Sequence, residues 1–188
     1  MDIDEEGELS IRGTSNNDNN CTVFTQDEPN IDDFSENFYL RVYTGGIRSR
    51  DIGQEFIEYD VRYNANEKSG VLRYANQSNY RDEELIKKEV GLSLVVITEL
   101  KKLIKQSEIL LETDEKWPES TRESKQELEI RLGKKVKKLN TLKMASVVET
   151  KFTDDPEGLK VYYYFLQNLR ALVFSLISLH FKVKPVQR

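Results

Sequence analysis

The sequence is poor in the residues from which disulfides, zinc sites and nucleophilic catalytic sites are built. Its 188 residues include one cysteine, Cys21, and one histidine, His180. A single cysteine cannot form an internal disulfide, which fits a reducing compartment. One cysteine and one histidine also cannot supply a zinc ligand set or a convincing Cys/His or Ser/His pair. We therefore predict no metal, no cofactor and no catalytic residue, and we expect His180 to be a packed or interfacial residue.

Long apolar runs and a phosphate-binding loop are missing as well. The longest segment without a charged residue is Ala171–Phe181, far short of the ~20 residues that a membrane-spanning helix needs. The N-terminus lacks the basic and apolar regions of a signal peptide, so we predict neither a membrane span nor secretion. The glycine pair in "TGGI" (Thr44–Ile47) has no lysine and hydroxyl residue after it, which excludes a P-loop and favours a hairpin turn.

The charge divides the chain into two parts. Residues 1–37 contain eleven acidic residues against Arg12 alone, whereas the rest of the chain contains 22 acidic and 27 basic residues. The first part is also poor in large apolar side chains, so it cannot bury enough surface to offset the entropy lost on ordering. We predict that residues 1–37 form a disordered acidic N-terminal tail, that residues 38–188 form one domain, and that residues 1–35 can be removed without loss of folding.

Apolar and polar residues then alternate in the manner of β-strands. The segments "FYLRVYT", "EFIEYDVRY" and "VLRYANQ" are separated by turn residues such as "NANEKSG", which predicts a three-stranded meander. Later, "QELEIRLG" and "KKVKKLNTL" predict a hairpin that turns at Gly133. These patterns give five strands.

Two helices complete the pattern. Acidic residues from Asp82 and lysines near the other end predict a first helix that ends at about Ser107. A second helix of about 25 residues follows Asp155 and Pro156, which suit the N-cap and first helical positions. From Leu169 to Phe181 its apolar arc exceeds half the circumference. One sheet cannot cover such an arc, so part of it must meet the other helix or another molecule.

Two other functions fit parts of the sequence. Direct RNA binding is suggested by the lysines of the predicted hairpin, although lysines on an edge strand also prevent edge-to-edge pairing of sheets. No aromatic stacking platform accompanies them, and the acidic tail would oppose phosphate binding. The second alternative is an unrecognised hydrolase that uses a carboxylate pair. The hairpin lysines are Lys134, Lys135, Lys137 and Lys138.

Several consecutive motifs carry a resemblance that covers nearly all of residues 38–185. The segments are "FYLRVY", "GQEFIEYDVR", "LRYANQSNY", "LIKKE", "WPES", "QELEI", "DPEGLKVYYYFLQNL" and "LVFSLISLHFKVKP". Together they resemble the Mago nashi family, the small core subunit of the exon junction complex. The resemblance implies an α+β fold, in which an antiparallel sheet of about six strands has two long helices packed on one side.

The resemblance also implies a non-catalytic function. Family members form an obligate heterodimer with an RNA-recognition-motif protein, through the outward face of the two helices. The heterodimer locks a DEAD-box RNA helicase on spliced mRNA, so that mRNA is bound only indirectly, for splicing, export, localisation and nonsense-mediated decay. The implied location is the nucleus, with shuttling to the cytoplasm and no membrane contact.

Particular residues match family positions. Leu176 matches a leucine of the partner interface, and Leu169 and Leu172 lie within about 40° of it on a helical wheel, so all three are expected to bind the partner. Glu108 and Glu157 match acidic positions that face the helicase. Their alternative roles are those of a solvated charge for Glu108 and of a helix-dipole partner for Glu157. The sequence departs from the family pattern in its acidic tail, its lysine-rich hairpin, "NANEKSG" and "GIRSRDIGQ", and no helicase contact is carried over to the last of these.

Overall fold

The structure, a computed structural model, describes residues 34–49, 53–78 and 85–181. These residues form six strands, two long helices and one short 3-10 helix. The strands are β1 (Phe38–Ser49), β2 (Gly53–Asn64), β3 (Ser69–Gln77), β4 (Ile86–Leu92), β5 (Lys125–Leu132) and β6 (Lys135–Thr141). The helices are α1 (Leu94–Ser107), the 3-10 helix (Val147–Phe152) and α2 (Pro156–His180).

The strands form one antiparallel sheet in the order β4-β3-β2-β1-β5-β6. β1 lies inside the sheet, where Phe38 pairs with Tyr63 of β2 on one side and with Leu132 of β5 on the other. Strands β1 to β4 make a meander, and the β5–β6 hairpin extends the sheet beyond β1. The α+β class and the six-stranded antiparallel sheet expected from the resemblance are confirmed.

Side chains alternate between the two faces of the sheet, as the period-two pattern requires. On β1, Leu40 and Val42 are buried, whereas Tyr39 and Arg41 lie on the opposite face and are only half-buried. The buried positions of the neighbouring strands, which extend this apolar layer, are Val61, Leu72, Leu128 and Ile130. The core therefore lies on one side of the sheet.

α2 begins as the sequence predicts and covers this apolar layer. Asp155 is its N-cap and accepts a hydrogen bond from the Gly158 N–H at 3.1 Å, and Pro156 occupies the first turn. Its buried residues recur every three or four positions, which makes one continuous stripe. The stripe consists of Gly158, Leu159, Tyr162, Phe165, Leu166, Leu169, Val173 and Ile177.

α1 lies on the same face of the sheet as α2. Both helices contact buried-face positions of β3. A Cβ built on Gly70 would lie 2.9 Å from Ile97 Cδ1 of α1, and Tyr74 meets Phe174 of α2 with ring centroids 5.8 Å apart. The two helices therefore form a single layer over the sheet, as the resemblance implies.

The two helices run in opposite directions. β4 leads into α1, and Lys88 of β4 places its Nζ 5.0 Å from the ring centroid of Phe181, just after α2. Beyond the other end of α1, the Glu112 carboxylate lies against Gly158 in the first turn of α2. The end of α1 and the start of α2 thus meet at one end of the helical layer.

The prediction of the first helix was wrong in its N-terminal part. The helix does not start near Asp82, which lies outside the described residues, but at Leu94 after β4. β4 is an edge strand paired with β3, with Val90 and Leu92 facing the core. Ile86 and Val90 are four positions apart, which fits a helix, but Val90 and Leu92 are two positions apart, which fits a strand. The pairing of these residues with β3 decides in favour of the strand.

The interpretation of "TGGI" as a hairpin turn was also wrong. Gly45 and Gly46 lie within β1, paired with Phe56 and Glu55 of β2. A Cβ on Gly46 would overlap the backbone carbonyl of Glu123, and one on Gly45 would lie 2.6 Å from the Glu55 carbonyl oxygen. These glycines therefore allow close approach of neighbouring backbone, a use that the sequence does not distinguish from a turn.

The residues just before β1 belong to the domain. Phe34 packs edge-on against Tyr63, with ring centroids 5.7 Å apart, and the Lys101 Nζ lies 4.2 Å from the Phe34 ring centroid. Asn37 accepts a hydrogen bond from the Ala65 N–H at 2.9 Å. The predicted boundary at residue 37 is thus too late, and a truncation of residues 1–35 would remove both contacts of Phe34. The predicted disorder of residues 1–33 lies outside the described residues.

We predict that Phe34→Ala lowers the free energy of unfolding by about 1–3 kcal/mol. The change removes a packed ring and uncovers the Lys101 side chain, which is almost fully buried. Urea denaturation followed by circular dichroism measures the effect. Phe152→Ala is the matched control, because Phe152 is exposed and surface changes stay within about 0.5 kcal/mol. Equal effects of the two changes would contradict the packing of Phe34.

Candidate functional site

The outer side of the helical layer carries apolar residues where α1 and α2 meet. Val96 and Leu103 of α1 and Leu172 and Leu176 of α2 lie beside the buried stripes of their helices, are half-buried and pack against the core. The two helices contact each other, and helical spacing extends the α2 row to Leu179. We call these five residues the helical face. Part of their apolar surface is covered by none of the residues that the structure describes.

The structure separates the three leucines that were expected to bind the partner. Leu172 and Leu176 lie on the helical face, and their role stays a prediction. Leu169 is 0% exposed and belongs to the buried stripe, so including it was wrong, because a side chain without accessible surface cannot contact a partner. The three residues span about 60° on the wheel, and the edge of the buried stripe falls inside that arc.

Two strongly exposed apolar residues were missed by the sequence analysis. Leu179 of α2 is 80% exposed and Val95 of α1 is 70% exposed. Because the helices are antiparallel, both lie toward the same end of the helical layer. The sequence signal was an apolar arc too wide for one packing face, which was recognised for α2. The apolar residues assigned to the first predicted helix also covered a wide arc, but they included residues that lie in β4 and left out Val95.

Acidic residues meet at the other end of the helical layer. Glu108 is the C-cap of α1, with φ 57° and an N–H that donates to the Lys105 carbonyl. Glu157 lies in the first turn of α2 and pairs with Lys160 at 2.7 Å. Glu112 lies between the two helix ends, against Gly158. The structure thus brings the two predicted helicase-facing residues, Glu108 and Glu157, to one end of the domain.

Asp155 joins this acidic group to the core. Besides capping α2, it accepts a hydrogen bond from Trp117 Nε1 at 3.0 Å. Burial raises the pKa of the Glu112 carboxyl, the negative charge of Asp155 raises it further, and Lys137 acts in the opposite direction. We call Glu108, Glu112, Asp155 and Glu157 the acidic helix end. It contains more negative charge than its neighbours neutralise.

The open face of the sheet, on the side away from the helices, has a different character. One cross-strand row alternates in charge across all six strands, so each residue lies beside opposite charges. Within it Arg73 Nη2 lies 3.0 Å from Asp60 Oδ1. The row is Glu89, Arg73, Asp60, Arg41, Glu129 and Lys138. Within the row, Arg73 pairs with Asp60 and Lys138 lies near Glu129, while Arg41 pairs with Glu58 and Glu127 on the same face. Most charges of this row therefore have opposite charges beside them.

The lysine-rich hairpin does not form a single basic surface. Lys138 lies on the open face, with its Nζ 4.0 Å from Glu129. Burial lowers the pKa of the Lys137 amine, while the charge of nearby Asp114 acts in the opposite direction. These two lysines therefore serve different acidic partners. β6 is an edge strand, where lysines limit pairing with other sheets.

Three other features of the described residues concern metal ions, the bilayer and His180. No cluster of three or more potential ligands for a metal ion occurs among them. Within the same ranges, no helix combines the length and the hydropathy needed to cross a bilayer. His180 is exposed in the last turn of α2 rather than packed within the domain, so only the interfacial role expected for it stays open.

Comparison with known proteins identifies the family. The family model described as Mago nashi protein matches residues 38–186. The chain belongs to the Mago nashi family. The mago nashi homolog of Arabidopsis thaliana is 48% identical over 149 residues, which is 79% of this chain and 95% of that relative. The mago nashi homolog of Dictyostelium discoideum is 47% identical over 151 residues, 80% of this chain and 73% of that relative. The resemblance drawn from the sequence motifs is thus confirmed.

The matched region contains both surfaces of the helical layer. The helical face and the acidic helix end fall inside residues 38–186 of this Mago nashi protein. The acidic segment with Cys21 and the contacts of Phe34 precede the match. The comparisons therefore bear on the two helices and their ends, and not on the N-terminal segment.

We predict that Glu112→Gln stabilises the protein at pH 7 by less than about 1 kcal/mol, because solvent screening limits the gain. A folded-state pKa above the unfolded value means that folding disfavours the ionised carboxyl. The destabilisation is therefore present above the raised pKa and is lost as the pH falls below the ordinary glutamate value of about 4.3.

Urea denaturation at pH 7 and pH 4 tests this prediction. The difference between Glu112→Gln and the wild type should shrink at the lower pH. Glu115→Gln, at an exposed position of the same loop, is the control and should show no such difference. A destabilised Glu112→Gln variant at pH 7 would mean that the carboxylate makes a net favourable contact.

Proposed function

We propose that this chain is a non-catalytic core subunit of the exon junction complex. Membership of the Mago nashi family supports the subunit role. In this proposal the chain forms a heterodimer with an RNA-recognition-motif protein, and the heterodimer locks a DEAD-box RNA helicase on spliced mRNA. The role implies residence in the nucleus with shuttling to the cytoplasm.

The helical face is the observation that carries the proposal. Leu172 and Leu176 already pack against the core on one side, and Leu179 and Val95 extend apolar surface into solvent. Contiguous exposed apolar surface on a small protein indicates an interaction site. The charges of the open sheet face are mutually paired, so the helices present the surface that gains most from a protein partner.

The chemistry of this surface suits the sheet of an RNA-recognition motif. Such a sheet carries exposed aromatic residues on which RNA bases stack. An apolar helical face can cover those aromatic side chains and remove both surfaces from water. The partner's sheet would then be unavailable to RNA, and mRNA would be held by the helicase instead.

Locking of the helicase requires only binding, without catalysis. A ligand that prefers the closed, ATP- and RNA-bound helicase shifts its equilibrium by the difference in affinity for the two states. A change from 1:99 to 99:1 needs a preference of about 10⁴-fold. The acidic helix end is the proposed contact, because its carboxylates can pair with basic residues that the closed helicase brings together.

The alternative of direct RNA binding through the hairpin has less support. Lys138 lies beside Glu129, and Lys137 is half-buried near Asp114. Phosphate binding depends on several free cations along one path. Lysines that lie beside separate acidic residues do not form a continuous path for a phosphate backbone.

We predict that Leu176→Arg abolishes the heterodimer while the domain stays folded. Truncation of a buried interface anchor commonly costs 2 kcal/mol or more, which corresponds to about a 30-fold loss of affinity, and arginine would also bury a charge. Isothermal titration with the purified RNA-recognition-motif partner measures the affinity. A cooperative thermal melt checks the fold.

Val71→Arg is the matched control for Leu176→Arg. It also introduces an arginine at a half-buried aliphatic position, but on the open face of the sheet. The control should bind the partner with wild-type affinity. If Leu176→Arg also kept wild-type affinity, the partner could not be seated on the helical face.

We predict that the double change Glu108→Arg and Glu157→Arg weakens helicase retention and spares the heterodimer. The reversed charges would repel the basic residues proposed on the helicase, whereas the helical face is untouched. The assay retains helicase on immobilised RNA with a non-hydrolysable ATP analogue at physiological salt. Glu67→Arg, in the exposed turn between β2 and β3, is the control.

Unchanged retention by the double variant would reject this placement of the helicase contact. In that case Glu157 serves only the dipole of α2, which is worth about 0.3–1 kcal/mol of stability. Loss of the heterodimer in the double variant would show that the two surfaces were assigned the wrong way round.

A further inference from the structure

The 3-10 helix presents an aromatic side chain almost wholly to solvent. Phe152, its last residue, is 85% exposed, more than any other large apolar residue among those described. Val148, in the same short helix, is also exposed. A phenylalanine in this state leaves most of its apolar surface in water, and a partner that covered it would gain binding energy.

The backbone that carries Phe152 is held in place by many contacts. Ser146 and Glu149 form a capping box at the start of the 3-10 helix. Thr150 is buried, its hydroxyl donates to the Val147 carbonyl at 2.8 Å, and its own carbonyl accepts from the Thr153 hydroxyl at 2.8 Å. Because the segment is already ordered, burying Phe152 against a partner requires little further loss of entropy.

Phe152 lies at the same end of the domain as the acidic helix end. It precedes Asp155, the N-cap of α2, by three residues, which limits their Cα separation to about 11 Å. Leu111, which is also exposed, directly precedes Glu112, whose carboxylate lies against Gly158. Exposed apolar side chains therefore accompany the carboxylates at this end.

The charge of this end defines the chemistry of what can bind there. Residues 108–115 and 151–160 contain seven acidic residues against two lysines. Repulsion between Asp155 and Glu112 contributes to the raised pKa of the Glu112 carboxyl, so the negative charge is not fully compensated. A complementary surface is basic and carries at least one apolar side chain at its centre.

We propose that Phe152, supported by Leu111, is an apolar anchor of the helicase contact. The occupant is a basic surface of the helicase with an apolar side chain that packs on the Phe152 ring while basic residues face the acidic helix end. This inference rests on the proposed function and adds to it an apolar contact beside the ionic one. The apolar contact should respond weakly to salt, and the ionic contact strongly.

The variant Phe152→Ser tests the anchor in the preformed heterodimer. Binding of the helicase, loaded with RNA and a non-hydrolysable ATP analogue, is titrated at about 0.05 M and 0.3 M salt. We expect a loss of affinity of about tenfold or more at both salt concentrations, as for a central anchor residue. The ionic variant Glu108→Arg with Glu157→Arg should instead lose most of its effect at the higher salt.

Leu85→Ser is the matched control, since Leu85 is also exposed but lies just before β4, three residues from Lys88, which contacts Phe181 beyond the far end of α2. It should bind the helicase as the wild type does. If the wild-type heterodimer binds the helicase and Phe152→Ser binds equally well, the anchor is wrong while the proposed function stands. If the wild-type heterodimer does not bind the helicase at all, both fail.

Light scattering of the heterodimer at the titration concentration gives a second readout. If Phe152→Ser converted a pair of heterodimers into single ones and left helicase affinity unchanged, the ring would be covered by a second copy of this chain. That result would also overturn the proposal. Because Phe152 is exposed, the variant should keep the wild-type melting temperature, which separates loss of the anchor from loss of folding.

Discussion

The packing of α2 along one face of the sheet determines the rest of the structure. Its 25 residues place a buried stripe over the apolar side of the sheet, and Asp155 fixes where the helix begins. α1 fills the remaining part of the same face. Both long helices lie on one face, so no other described element covers the opposite face of the sheet or the outer side of the helices. Both surfaces must be stable in water or covered by another protein.

The two uncovered surfaces differ in the chemistry of their side chains. The open sheet face is made of cross-strand charge pairs such as Arg73 with Asp60, which remain satisfied in water. The outer side of the helices instead carries the leucines of the helical face, next to strongly exposed Val95. The contrast within one small domain supports a division of roles, in which the sheet face stays solvated and the helical layer binds protein.

Much of this fold could be predicted from local pattern, and the errors have physical causes. Alternation in β2 and the Asp155–Pro156 start of α2 are local signals that the structure keeps. β4 was taken for helix because its pairing with β3 is not visible in its own residues. Gly45 and Gly46 were taken for a turn because the backbone of Glu123, far away in sequence, dictates the need for glycine.

Which side chains lie at the surface could not be predicted from local pattern. Leu169 and Leu176 share one arc of α2, and only the position of the sheet separates core from surface. The exposure of Phe152 likewise depends on how the 3-10 helix is anchored.

Hydroxyl-radical footprinting of the chain, alone and with its RNA-recognition-motif partner, tests the central claim most directly, because it reports the solvent accessibility of individual side chains. Leu172, Leu176 and Leu179 should be oxidised in the free chain and protected in the heterodimer. Tyr39 and Tyr43, on the open sheet face, should react equally in both. Protection of the tyrosines with unchanged oxidation of the leucines would contradict the assignment of the helical layer as the partner surface.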